Sequence, residues 1–240
     1  MPAKTINLQF ACGPWICRVG LRGGQSAVPI PVDQFDGQLI FFEHEPYLWE
    51  VVVVRSIDDT RLRVLLARFS PGLKGGGVLA PPTPLGDAVH WETFLMRDSA
   101  DPRRNVVELL TDLGRIATDG GAILKAVLVE VHARPPEGEG DPEDGQFAYL
   151  EICAAGLPPV AVLHEGQLTF PVRSWFPAGL VEDWRPWLQT LECVEGDRLF
   201  VHSEWESLRP TLREFHAMLA DGTYENQEVT SLVCVGIERQ

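Results

Sequence analysis

Histidine beside carboxylate is the pattern in this sequence that comes nearest to chemistry. Four histidines with an acid one or two positions away stand out, in Glu43-His44-Glu45, His90-Trp91-Glu92, His164-Glu165 and His202-Ser203-Glu204. An imidazole with a carboxylate can ligate zinc or act as general acid and base. Adjacent residues of an extended segment face opposite sides, so His44 shares no site with Glu43 or Glu45 if that segment is a strand. A spacing of two puts both groups on one face, as in His90/Glu92 and His202/Glu204. Those four side chains would close a tetrahedral site, that of a metal-dependent hydrolase, if their strands were neighbours. Nothing in the sequence makes them neighbours, and histidine at a strand end or on the surface is the plainer reading.

Other catalytic signatures are missing. There is no Gly-x-Ser-x-Gly elbow, no His-Glu-x-x-His helix and no dinucleotide fingerprint leading from strand to helix. The loop Ser70-Pro71-Gly72-Leu73-Lys74-Gly75-Gly76-Gly77 lacks the Gly-Lys-Ser/Thr that a phosphate loop needs. It runs on into Ala80-Pro81-Pro82-Thr83-Pro84, where proline prevents a helix from starting. Cys17 stays a formal nucleophile candidate, but it lies in an apolar phrase that points to packing. The five cysteines fit free thiols, and Cys12 and Cys17 do not have Cys-x-x-Cys spacing. No cofactor is expected.

A second constellation concerns binding. Trp175, Phe176, Trp184 and Trp187 crowd into one short segment. Such aromatics form core or a domain contact, or, where exposed, a partner-binding patch. Glu204 and Glu206 add acids a little further on. Charge is uneven: residues 1–133 hold 13 basic against 15 acidic side chains, residues 134–240 hold 7 against 19, and the whole chain carries −14. So acidic a second half repels phosphate backbones, which argues against direct nucleic-acid binding there. It would instead steer toward a basic protein.

The elements that must position these groups show an internal echo. Ile16-Cys17-Arg18-Val19-Gly20-Leu21 recurs as Ile152-Cys153-Ala154-Ala155-Gly156-Leu157, and Asp36-Gly37-Gln38-Leu39-Ile40-Phe41 as Glu165-Gly166-Gln167-Leu168-Thr169-Phe170. Read as a tandem duplication, this gives an α+β fold of two modules, each an antiparallel sheet with one main packing helix. Residues 1–133 form the first module, 134–145 an acidic Pro/Gly-rich linker, and 146–240 the second, strongly acidic module. Strand patterns cover Thr5–Ala11, Trp15–Leu21, Gln38–Glu43, Tyr47–Arg55, Arg61–Phe69, Leu124–Val131, Phe147–Ala154, Val160–Leu163, Gln167–Val172, Arg198–His202 and Val229–Ile237. The run Val51-Val52-Val53-Val54 lacks alternation and reads as a strand buried on both faces. Arg61, Arg63 and Arg68 suggest that the next strand has one face in water. One helix is expected after an Asp101 cap with Pro102 at its first position, and another from Ser203 or Ser207 to Leu219. Leu180 to Leu191 reads as partly helical despite Pro186.

No apolar run approaches membrane-spanning length, and the N-terminus leads straight into a strand pattern, so a soluble, cytoplasmic protein is expected. The favoured function is a non-catalytic interaction module, an adaptor, inhibitor or immunity-type partner presenting an acidic surface to a basic protein. The alternatives are the His/Glu metal-dependent hydrolase and a small-ligand sensor at the module interface.

Overall fold

A computed structural model describes residues 4–23, 27–30, 37–45, 48–71, 73–74, 77–78, 101–119, 122–133, 147–178, 180, 184–202, 214, 217, 220 and 231–239. Two antiparallel sheets dominate it. The strands are β1 (Lys4–Cys12), β2 (Trp15–Gly23), β3 (Ala27–Ile30), β4 (Gly37–Glu45), β5 (Leu48–Asp58), β6 (Arg61–Pro71), β7 (Leu73–Lys74), β8 (Gly77–Val78), β9 (Ala122–His132), β10 (Ala148–Ala155), β11 (Val160–His164), β12 (Gln167–Val172), β13 (Leu188–Cys193), β14 (Arg198–His202) and β15 (Ser231–Arg239). One sheet has the order β1-β2-β15-β14-β11-β12, the other β13-β10-β9-β6-β5-β4-β3, and β7 pairs with β8 alone.

This order overturns the expectation of two α+β modules. Each sheet draws strands from both halves of the chain. Trp15–Gly23 pairs with Ser231–Arg239, and β9 pairs with β10 across the segment expected to be a linker, with His132 opposite Tyr149. Residues 134–146 themselves lie outside the described residues. The echoed phrases occupy unlike places: Ile16–Leu21 lies in β2 of the first sheet and Ile152–Ala155 in β10 of the second, while Gly37–Phe41 lies in β4 and Gln167–Phe170 in the edge strand β12. Apolar strands bounded by acid-Gly turns resemble one another whatever their position, and that resemblance misleads here.

One core fills the space between the sheets. Val52, Val54, Leu62, Val64, Leu66, Val127, Val129, Val131, Leu150 and Ile152 face Cys17, Val19, Val162, Leu199, Val201, Val233, Val235 and Ile237. Period-two alternation then sends Val51, Val53, Leu65, Ala67, Leu128 and Cys153 to the outer face of the second sheet, where a helix covers them. The expected two-faced burial of Val51–Val54 holds, with all four at most 3% exposed.

The covering helix, α1, spans Val106–Asp119. It starts later than expected, because Asn105 and not Asp101 is its cap. Asn105 Oδ1 accepts from the Glu108 N–H at 2.9 Å and Glu108 Oε2 from the Asn105 N–H at 3.3 Å, a reciprocal box. Asp101 shapes the preceding turn instead: the Arg103 side chain and N–H beside it hold its carboxyl down to about 2. Leu109, Leu110 and Leu113 are buried, each worth about 1.5–3 kcal/mol against exposure. Of the last expected helix only Glu214 and Ala217 are described, and their backbone, like that of Ala220 just beyond it, is helical.

Candidate functional site

Alternation also places polar groups on that outer face, beyond the end of the helix stripe. Register aligns Arg55, Arg63, Glu130, Glu151 and Thr190 in one row across five strands, and Arg61, His132, Tyr149 and Glu192 in the next. Arg63 donates through Nε to Glu130, and its remaining N–H groups reach the carbonyls of Asp101 and Arg104 just before α1. Arg61 bridges Asp58 and Glu130. His132 Nε2 lies 3.6 Å from Glu130 and 3.4 Å from Glu151. The His132 ring holds the Glu151 carboxyl below its ordinary range, against burial, which pushes it up. With Arg63 and Glu130 only 3% and 2% exposed, the expectation that Arg61, Arg63 and Arg68 mark a face in water fails; Arg68 is buried as well. Two arginines claim the carboxylates, so the cluster fastens α1 to the sheet. Its signal was in the sequence: charged pairs at spacing two within apolar strands.

The aromatic segment sits at one edge of the sandwich. After β12, Trp175 donates its N–H to Ala154 and accepts from Gly156, and Ala178 exchanges both backbone bonds with Leu124. Trp175 thereby lies opposite Ala155 in the lane that β13 occupies opposite Cys153. Gly156 permits this close approach: its φ is +70°, and a Cβ there would meet Pro177 Cγ at 2.6 Å. Gln189 of β13 clasps Arg173 through both backbone groups, at 2.8 and 2.9 Å, and so joins the two sheets at this edge. Trp184 is partly buried over α1, its Nε1–H donating to the Phe176 carbonyl at 2.6 Å. Trp187 stacks on Trp175 at 4.4 Å, and Phe176 meets Trp175 edge-on at 5.4 Å.

Trp175, Phe176 and Trp187 are 37%, 58% and 59% exposed, and Phe170, Leu180 and Leu188 are exposed too. The segment thus supplies one inward anchor, Trp184, and a stacked outward set. Arg173 and Arg185, both exposed, are the charged residues described between Pro171 and Leu188. The expected partial helix over Leu180–Leu191 is absent from its described part: Trp184–Trp187 is irregular and Leu188–Cys193 is strand β13. Pro186 breaks the helix, and alternation at Leu188, Thr190 and Glu192 fits a strand paired with β10. That alternation was the missed signal.

Of the four residues of the expected metal site only His202 lies among the described residues. His202 is buried on β14, whereas His90, Glu92, Glu204 and Glu206 lie outside the described residues. Among the described residues no group of three or more His, Cys, Asp or Glu side chains is arranged to hold a metal ion. His164 Nδ1 meets the buried Asp197 at 2.7 Å, while Asp197 Oδ2 accepts from the Val194 N–H, so the pair braces the β13–β14 turn. Cys12, Cys17, Cys153 and Cys193 are buried thiols. The hydrogen bond with Cys12 and then burial push the Cys17 thiol far up, and burial pushes Cys153 and Cys193 up to about 12. A protonated, enclosed Cys17 is a poor nucleophile.

No family model matches the chain, and no curated protein does. Solved structures do. The RsbU and RsbW domains of a Mycobacterium tuberculosis protein align over 100% of this chain and 63% of that one, at 13% identity and a TM-score of 0.54. The chain therefore spans less than two thirds of that structure, and the likeness is one of fold. Two further structures align more loosely. The PP2C phosphatase domain of the Bacillus subtilis cell-fate determinant SpoIIE gives 8% identity over 99% of this chain and 83% of that one, at a TM-score of 0.47. PppA, a regulatory component of type VI secretion in Pseudomonas aeruginosa, gives 11% over 100% and 99%, at 0.43.

Proposed function

We propose that this chain is a regulatory protein-interaction module, an adaptor or inhibitor that acts by binding another protein through the edge bearing Trp175, Phe176 and Trp187. One observation carries this reading: three large aromatic groups stand out in solvent, Trp187 stacked on Trp175 and Phe176 edge-on to it, with Trp184 hydrogen-bonded to the Phe176 carbonyl. Contact surfaces concentrate their binding energy in such rigid aromatic anchors, which lose little conformational entropy on docking. The acidic second half supplies long-range attraction toward a partner carrying basic charge. No helix among the described residues is long and apolar enough to cross a membrane.

The test pairs binding with turnover. A Trp175→Ala/Trp187→Ala chain should keep the wild-type circular dichroism, since both rings are exposed, and should lose the partner that the immobilised wild-type chain retains. Phosphomonoester hydrolysis that requires added manganese or magnesium and is untouched by the double substitution would overturn the reading in favour of a metal-dependent hydrolase.

A further inference from the structure

Among the described residues four strands end the two sheets: β1 and β12 in one, β3 and β13 in the other. An edge strand presents unpaired N–H and C=O groups, and proteins blunt such edges with proline, lysine, bulges or shortness. β12 contains Pro171 and shifts register between Val160 and Val162; β3 has four residues and contains Pro29; β1 begins at Lys4. β13 reads Leu-Gln-Thr-Leu-Glu-Cys, with no proline, no lysine and an unbroken register against β10. Among the described residues it is an edge open to pairing, as is β1 beyond Lys4, whose register against β2 is also unbroken. Leu188, Thr190 and Glu192 are exposed along β13.

Among the described residues the charge along this edge is polar from end to end. Exposed Arg173 and Arg185 stand at the start of β13, beside the Trp175–Trp187 stack, and exposed Glu192 and Glu195 at its end. An antiparallel strand that fits must run from basic to acidic in its own direction, since pairing inverts the order. β13 itself does so. Residues directly opposite in an antiparallel pair share a face, so Leu188, Thr190 and Glu192 must oppose members of the same set.

We propose that β13 pairs with β13 of a second copy of this chain, antiparallel about a two-fold axis at Thr190, joining the two seven-stranded sheets into one. In that register Leu188 lies opposite Glu192 of the other copy, and Arg185 comes level with its Glu195. The axis stands perpendicular to the sheet, so the two aromatic patches emerge on one side as a doubled surface. The inference goes beyond the partner-binding reading and concerns the strand alongside the patch. Each copy carries −14, so self-association needs salt enough to screen charges elsewhere, which at about 0.15 M means beyond about 8 Å.

Sedimentation equilibrium at that ionic strength tests it. The wild-type chain should be a dimer at micromolar concentration. Thr190→Lys sets like charges against each other at the axis and should give a monomer with unchanged circular dichroism. Arg185→Glu should weaken the dimer by about tenfold or more, and adding Glu195→Arg to it should restore the dimer. A wild-type monomer up to about 100 μM, or a dimer indifferent to Thr190→Lys, overturns the proposal. A monomer that still captures a partner through Trp175 and Trp187 sinks the self-pairing and leaves the interaction reading standing.

Discussion

Arg63 and Glu130 are both enclosed, and the pair is held at three points: by Glu130 itself and by the Asp101 and Arg104 carbonyls that accept from the guanidinium. Removing one partner of such a pair leaves the other charge buried without compensation, which costs about 3–5 kcal/mol. Glu130→Ala should lower the denaturant midpoint by that order, whereas replacing both residues by apolar ones of similar size should cost far less. Denaturant titration of the two variants distinguishes the cases. His164 offers the contrary situation of an exposed ring beside a buried acid. Hydrogen bonding to Asp197, then its charge, raises the histidine above its ordinary value. The pair's stabilisation is therefore complete below the unfolded histidine's titration and is lost as pH rises through the folded one. Proton NMR should show a raised His164 midpoint that Asp197→Asn returns to the ordinary range; an unchanged midpoint would refute the link.

Element packing converges on Gly114 of α1. A Cβ there would stand 2.9 Å from Trp184 Cζ3 and 3.0 Å from Ala178 Cβ. Alanine favours a helix by up to about 1 kcal/mol over glycine, but overpacking costs about 1–3 kcal/mol, and here the obstruction is an indole fixed by its own hydrogen bond. Gly114→Ala should lower the melting temperature and shift tryptophan emission, because moving Trp184 loosens the Phe176 carbonyl and the aromatics above it. A more stable variant with native emission would contradict this packing. The same elements show what the sequence discloses. Strands such as β5, β6 and β9 were legible because near-continuous apolar runs follow directly from burial on both faces. The helix start was not, since Asp101, Pro102 and Asn105 all carry capping chemistry and only the Glu108 reciprocal bond chooses among them. β13 was masked by apolar residues whose spacing also suits a helix.

At the scale of the molecule, strand order was hidden because pairing between Trp15–Gly23 and Ser231–Arg239 is fixed by burial of a shared core and leaves no local mark. The aromatic segment was visible as a cluster, while its division into one buried anchor and three exposed rings depended on where Gly156, Leu124 and Gln189 hold it. Photo-crosslinking in the host cell from a benzophenone side chain at position 176 addresses that exposed set directly. The expected result is a discrete protein conjugate that disappears when Trp187→Ala is introduced into the same chain. Labelling from position 176 no different from that of an exposed site on the other sheet, such as Asn7, would contradict a contact surface at this edge.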